Sequence, residues 1–164
     1  MARFLAVSVL AAALVMAPTG DTTELCVGLT RPVEGPVERM YAPTGRYSGH
    51  WGVDWGVPAG TAVRASGPGT VSFVGVVAGN LTVTVDHGGG LRTSYSYLAE
   101  VVVKRGDPVF DSTTLGSSGT GHGFPALHFS VRVGHTYLDP LPIIACRLAT
   151  LSQALRLVPV PEIP

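Results

Sequence analysis

The stretch Gly49-His50-Trp51-Gly52-Val53-Asp54-Trp55-Gly56 sets an imidazole and a carboxylate four residues apart, among glycines at 49, 52 and 56. That composition opposes a helix, because each glycine costs roughly 1 kcal/mol relative to alanine. In a strand His50 and Asp54 share a face, since side chains repeat every second residue. A flat strand would still separate them by about 13 Å, four steps of about 3.3 Å. One zinc ion needs each donor atom within roughly 2.0–2.2 Å, so a shared metal requires a bend, and Gly52 can permit it. The plainer alternative is a surface His and Asp beside a turn. Spacing alone leaves both open, and a third ligand has to come from elsewhere.

Outward from this stretch, composition points to one turn-rich β domain. The chain has 164 residues, 46% hydrophobic and 13% charged, enough for one core. Its 21 glycines and 13 prolines fit short strands joined by turns rather than a helical bundle. Eleven basic and eleven acidic residues, without a run of either sign, exclude a nucleic-acid surface or an anionic-membrane patch.

Residues 1–20 read as a signal peptide or an N-terminal anchor. Arg3 precedes an apolar run from Phe4 to Ala17 that is short for a bilayer span. Val15-Met16-Ala17 fits a small-residue cleavage pattern, but Pro18 disfavours cutting there, so an uncleaved anchor stays open. The expectation is export to the cell envelope or beyond, with no transmembrane span unless this segment is retained. Residues 21–30 read as a linker and 147–164 as a tail, with a short helix around Leu148 to Leu157. Cys26 and Cys146 flank the patterned region 31–146, and an even pair in an exported protein suggests a disulfide. Closing a loop of about 120 residues would stabilise the fold by roughly 4–5 kcal/mol on the chain-entropy model. Two unpaired thiols, or pairing with a partner protein, are the alternatives.

Between those cysteines, short apolar runs alternate with turn signals. Thr70 to Val77 is rich in β-branched residues, and Gly79-Asn80 is a hairpin-type turn. Leu81, Val83 and Val85 alternate with Thr82 and Thr84, the signature of a half-buried strand. Leu91 to Leu98 continues the pattern, with Thr93, Tyr95 and Tyr97 on one face. Gly116 to Pro125 reads as a flexible Gly/Ser loop, without the Gly-Lys-Ser/Thr ending of a phosphate loop. In the following strand, Leu127, Phe129, Val131 and Val133 form a core face, while Ala126, His128, Ser130 and Arg132 form a polar one. The expected fold is all-β, a compact antiparallel sandwich or barrel-like single domain.

The span from about Arg31 to Ile144 resembles the M23 (lysostaphin-like, LytM-type) zinc metallopeptidases. The resemblance rests on motifs in one order: Gly49-His50-Trp51-Gly52-Val53-Asp54, Pro58 to Ala65, Gly69-Thr70-Val71, Val85 to Tyr95, Leu115-Gly116, Leu127-His128-Phe129 and Asp139-Pro140-Leu141. It implies a compact β domain that cuts peptide bonds in peptidoglycan. It also implies Zn2+ held by the His and Asp of His-x-x-x-Asp and by the second His of His-x-His, here His50, Asp54 and His128. Three protein ligands and an open position for water make a catalytic zinc site.

Two departures qualify that expectation. The family's first His of His-x-His is Ala126, and the His of its Tyr-x-His-Leu motif is Tyr97. Alanine can neither accept a proton nor stabilise an oxyanion. Tyr97 can donate to an oxyanion, but with a pKa near about 10 it is a poor base at neutral pH. Losing a general base typically costs about 10²–10⁴ in rate, and losing an oxyanion donor about 10²–10³. His122, in the Gly-rich stretch, is the candidate substitute base, while His87 and His135 fit turns. Trp51 and Trp55 suit either a substrate groove or packing, with packing favoured.

Three readings follow. The first is an exported zinc endopeptidase acting on peptidoglycan peptides with weakened hydrolysis. The second is an inactive domain that binds wall peptide or regulates another cell-wall hydrolase. The third is a secreted β domain without metal.

Overall fold

The computed structural model describes residues 28–45 and 48–146. Residues 1–20, Cys26 and the expected helix at 148–157 lie outside the described residues. Twelve strands follow one another: β1 (Val37–Arg39), β2 (Ala42–Gly45), β3 (Ser48–His50), β4 (Val53–Gly56), β5 (Ala62–Arg64), β6 (Gly69–Val77), β7 (Asn80–Asp86), β8 (Leu91–Val101), β9 (Pro108–Val109), β10 (Thr114–Gly121), β11 (Phe124–Val133) and β12 (Thr136–Leu138). A single short helix over 140–146 closes the described region. Pro140 stands just inside its start, and the Asp139 carboxylate accepts the Leu141 N–H at 3.0 Å, so proline geometry and a cap fix where it begins.

Ten strands form one antiparallel sheet, ordered β1-β4-β11-β10-β8-β7-β6-β9, with β12 beside β11, β5 beside β10 and a further β11–β8 pairing. The fold is all-β, as the turn-rich alternation predicts. Strands β2 and β3 form a separate two-stranded sheet. The core face carries Val53, Trp55, Val83, Val85, Leu127 and Phe129, all almost fully buried. Leu29, in the segment read as linker, is 2% exposed and belongs to that core. Its neighbour Thr30 bonds through both N–H and hydroxyl to the Ser66 carbonyl, which ties this segment down.

The Gly/Ser-rich stretch 116–125 is not a flexible loop. It forms most of β10 and turns directly into β11. Glycine is needed there for close approach: a Cβ on Gly116 would stand 2.0 Å from the Glu100 carbonyl oxygen.

Strand β8 divides its pairing. Leu91 to Ser96 pair with β11, whereas Leu98 to Val101 pair with β10. Tyr97 sits at that fork as the extra residue, because Leu81 opposes Leu98 while Thr82 opposes Ser96. Its φ of +67° lies in the left-handed region, where a bulge normally carries glycine.

Candidate metal centre and adjoining groove

His50 ends β3 in the small sheet, and Asp54 lies in β4 of the large one, so the bend between them is a change of sheet. Gly52 allows it through space rather than through special dihedrals. A Cβ there would meet the Phe129 carbonyl oxygen at 2.4 Å and the His128 ring at 2.8 and 2.9 Å. Across the ladder, Asp54 is the direct partner of His128 on β11.

These three side chains converge. His50 Nε2 lies 3.0 Å from Asp54 Oδ1 and 3.1 Å from His128 Nδ1, and His128 Nδ1 lies 2.7 Å from Asp54 Oδ1. The other nitrogen of His50, Nδ1, bonds the Met40 carbonyl at 2.7 Å, which turns Nε2 toward Asp54 and His128. A ring nitrogen anchored on a carbonyl is the usual way a metal-binding histidine is oriented. Asp54 is fully buried, and its Oδ2 has no hydrogen-bond partner. Burial alone would raise its carboxyl, but the hydrogen bonds and charges of His128 and His50 hold it below the usual carboxylate range. Two imidazole nitrogens and a carboxylate oxygen brought so close together, beside an orphaned carboxylate oxygen, suit a cation.

His122 is the third imidazole of the cluster. Its Nε2 lies 3.8 Å from Asp54 Oδ2, and a ligand atom from each of His50, Asp54 and His122 falls within 4.8 Å of the others. It occupies the β10–β11 turn with a left-handed φ of +52°. Burial, then the nearby Arg39 charge, lowers its pKa against the opposing pull of Asp54. Arg39 itself reaches within 3.7 Å of Asp54 Oδ2, a contact that sequence reasoning did not foresee.

Strict alternation would turn Tyr97 toward the core with Thr93 and Tyr95. At the bulge its ring instead stands 5.6 Å from that of His128 and 5.4 Å from that of His122, centroid to centroid. A Cβ on Gly121 would strike this ring at 2.2–2.3 Å, so the glycine makes its berth. Burial, reinforced by Asp54, pushes the phenol up to about 12, so Tyr97 is a donor and not a base near neutrality. Ala126 is fully buried, opposite Gly56 of β4.

The remaining candidates have other work. His87 Nδ1 donates to the Pro68 carbonyl at 2.7 Å, and Nε2 bonds the Thr93 hydroxyl at 2.8 Å. Thr93 bonds the Tyr95 hydroxyl, which also accepts the Ser66 N–H, so His87 completes a structural chain. His135 lies in the turn between β11 and β12. The tryptophans divide: Trp55 is core, with the Arg31 guanidinium 5.1 Å over its ring, whereas Trp51 lines a groove. Of the cysteines, only Cys146 is described, and no described cysteine is free.

That groove, about 580 Å³, opens beside His128 over the polar face of β6, β7, β8 and β11. Its floor is laid in rows. The first row runs Thr82–Ser96–His128–Asp54 across four strands, and the next runs Thr84–Ser94–Ser130. Hydroxyls bond within the rows, Thr82 to Ser96 and Thr84 to Ser94, each at 2.9 Å. The third row is Asp86–Arg92–Arg132–Tyr137.

An antiparallel β domain with a His/Asp/His cluster, built on a buried Asp54, at one end of a polar groove has the form of a metal-dependent hydrolase. Residues 48–140 match peptidase family M23, and the chain belongs to that family. It is 35% identical over 135 residues to an uncharacterised protein of Mycobacterium tuberculosis, covering 75% of this chain and 54% of that one. It is 33% identical over 111 residues to a DD-carboxypeptidase/endopeptidase of Neisseria meningitidis, covering 64% of this chain and 25% of that one. The structure is similar to that of lysostaphin, an antimicrobial peptidase from Staphylococcus simulans, with a TM-score of 0.60 and 27% identity over 77% of this chain and 55% of that one. The chain thus spans about half or less of the length of these curated relatives. Among the described residues, no helix is long and apolar enough to cross a membrane.

Proposed function

We propose that this chain is an exported zinc-binding M23 domain that acts on peptidoglycan peptides with weakened hydrolysis. The observation that carries the reading is the convergence of His50 Nε2, Asp54 Oδ1 and His128 Nδ1 to within 2.7–3.1 Å of one another at the end of a groove. Peptidoglycan enters through relatives, one of which is named a peptidoglycan DD-endopeptidase of Vibrio cholerae. In this reading His50, Asp54 and His128 hold Zn2+, which when bound supplies an acidified water and a polarised carbonyl. Tyr97 donates a hydrogen bond to the developing oxyanion. His122, whose pKa is lowered chiefly by burial, accepts the water proton in place of a histidine at 97 or 126. Residues 1–20 direct export, and Cys26 pairs with Cys146.

A second reading, wall-peptide binding or regulation of another hydrolase without turnover, draws on the same two positions. Ala126 offers no proton-transfer group, and Tyr97 stays a phenol.

Purified protein assayed for zinc content and for cleavage of peptidoglycan separates the two. The enzyme reading expects about one zinc per chain, turnover abolished by His50→Ala, and a rise in rate of at least tenfold in the Ala126→His/Tyr97→His double variant. Zinc and wall binding without turnover, even in that double variant, selects the binding reading. His122→Ala, retaining zinc but losing most turnover, assigns His122 to proton transfer. Loss of zinc in the same variant makes it a ligand instead.

A further inference from the structure

In a chain with no net charge, the groove beside the metal centre is one-sided. Arg92, Arg105 and Arg132 line it, while the two carboxylates in its floor rows are already engaged, Asp54 by His50 and His128 and Asp86 by Arg92. The three arginines are not equivalent. Arg92 Nε bonds Asp86 Oδ2 at 3.0 Å, so its charge is largely answered. Arg105 and Arg132 enter no ion pair among the described residues.

Arg132 is placed at a cost. It is the direct cross-strand partner of Arg92, on the same face of adjacent strands. Like charges in that relation are destabilising. Its Nε is also buried without a hydrogen-bond partner, and an unpaired buried donor is unfavourable. A carboxylate in the groove would offset the like-charge repulsion through charge-assisted hydrogen bonds to the terminal nitrogens of the guanidinium, while the buried Nε lies out of its reach.

We propose that this end of the groove is a subsite for a free carboxylate on the bound peptide, gripped by Arg132 and assisted by Arg105. The proposal rests on the wall-peptide reading above and narrows it to a substrate class: acidic peptides, in preference to uncharged or amidated ones. The sheet supplies the spacing. Arg132 follows His128 by four residues on one strand, about 13 Å. At about 3.3–3.6 Å per extended residue, the carboxylate lies roughly three to four residues from the metal end. The hydroxyl rows between them offer neutral polar contacts for the intervening backbone.

The test uses zinc-loaded full-length protein and one synthetic wall stem peptide in two forms, with its carboxylates free or all converted to carboxamides. Affinities are measured calorimetrically for wild type, Arg132→Gln, Arg132→Lys and Arg105→Gln. Wild type should bind the free acid at least tenfold more tightly, and raised salt should narrow the gap. Arg132→Gln should abolish the preference, chiefly by weakening binding of the free acid, and leave zinc content unchanged. Arg132→Lys should restore only part of it, since the charge returns without the fork. Arg105→Gln should reduce the preference less than Arg132→Gln. Equal wild-type affinity for both forms, or a preference that survives in Arg132→Gln, overturns the subsite while leaving wall-peptide binding intact. Binding of neither form overturns the wall-peptide reading and the subsite with it.

Discussion

Replacing Gly52 with alanine tests how the metal centre is built. The added Cβ would stand 2.4 Å from the Phe129 carbonyl oxygen and 2.8–2.9 Å from the His128 ring. Real Cβ contacts essentially never fall under 3.0 Å, so β4 and β11 must part by roughly half an ångström or more. That movement strains the rungs His128↔Asp54 and Phe129↔Val53, the rungs that bring two candidate ligands together. Overpacking of this kind costs about 1–3 kcal/mol. At a few degrees per kcal/mol for a domain of this size, melting should fall by about 4–15 °C in the presence of chelator. Zinc affinity should fall by about 10–100-fold, as it does when the support of a ligand is disturbed. Gly67→Ala is the matched control, because its Cβ would be tight only against the end of the Leu29 side chain, at 3.2 Å, with the His87 ring in ordinary contact at 3.6 Å. Thermal unfolding by circular dichroism and competition with a fluorescent zinc chelator provide the readings. If Gly52→Ala melts and binds zinc like the Gly67→Ala control, the close-approach argument is wrong.

Two further expectations concern groups with different duties. Asp54 has a folded-state pKa held below the ordinary value, so it contributes stability that is present above about pH 4 and lost as pH falls through the folded pKa. Acid unfolding of metal-free wild type should therefore be steeper below about pH 4 than that of Asp54→Asn, and parallel curves would contradict the assigned environment. Tyr95→Phe removes the acceptor of the buried Ser66 N–H, so it should cost about 1–3 kcal/mol in urea unfolding while leaving zinc content unchanged. A neutral outcome would mean that Ser66 finds another partner.

The sequence carried the fold wherever burial differed between alternate side chains. Leu81 to Val85 and Leu127 to Val133 announce their faces because one side of each strand is apolar and packed while the other carries the polar side chains of the groove floor. Strand β10 hides for the opposite reason. Its glycines and serines carry little apolar contrast, and the close contacts that require them, Gly116 against the Glu100 backbone and Gly121 against the Tyr97 ring, exist only after folding. Of the site, the ligand spacing and the family motifs marked His50, Asp54 and His128. Tyr97 was marked too, but period-two alternation aims it inward, and only the fork in β8 explains its presence beside His122. Arg39 and the arginine row were missed. The polar alternation through Thr82, Thr84, Ser94, Ser96, Ser130 and Arg132 was the available signal for a groove floor. Which arginine lacks a partner depends on Asp86 meeting Arg92, a matter of register.

The division of the candidate ligands between two sheets has a thermodynamic consequence. His50 is carried by the β2–β3 hairpin, whereas Asp54 and His128 belong to the ten-stranded sheet. An ion shared by all three acts as a removable cross-link between a small, exposed hairpin and the body of the domain. By linkage, whatever free energy the ion gains from a docked hairpin, the hairpin gains in resistance to local opening. The hairpin from Ala42 to His50 then becomes a reporter of occupancy, with amide exchange there slowing as zinc is taken up while exchange in β7 and β8 stays constant.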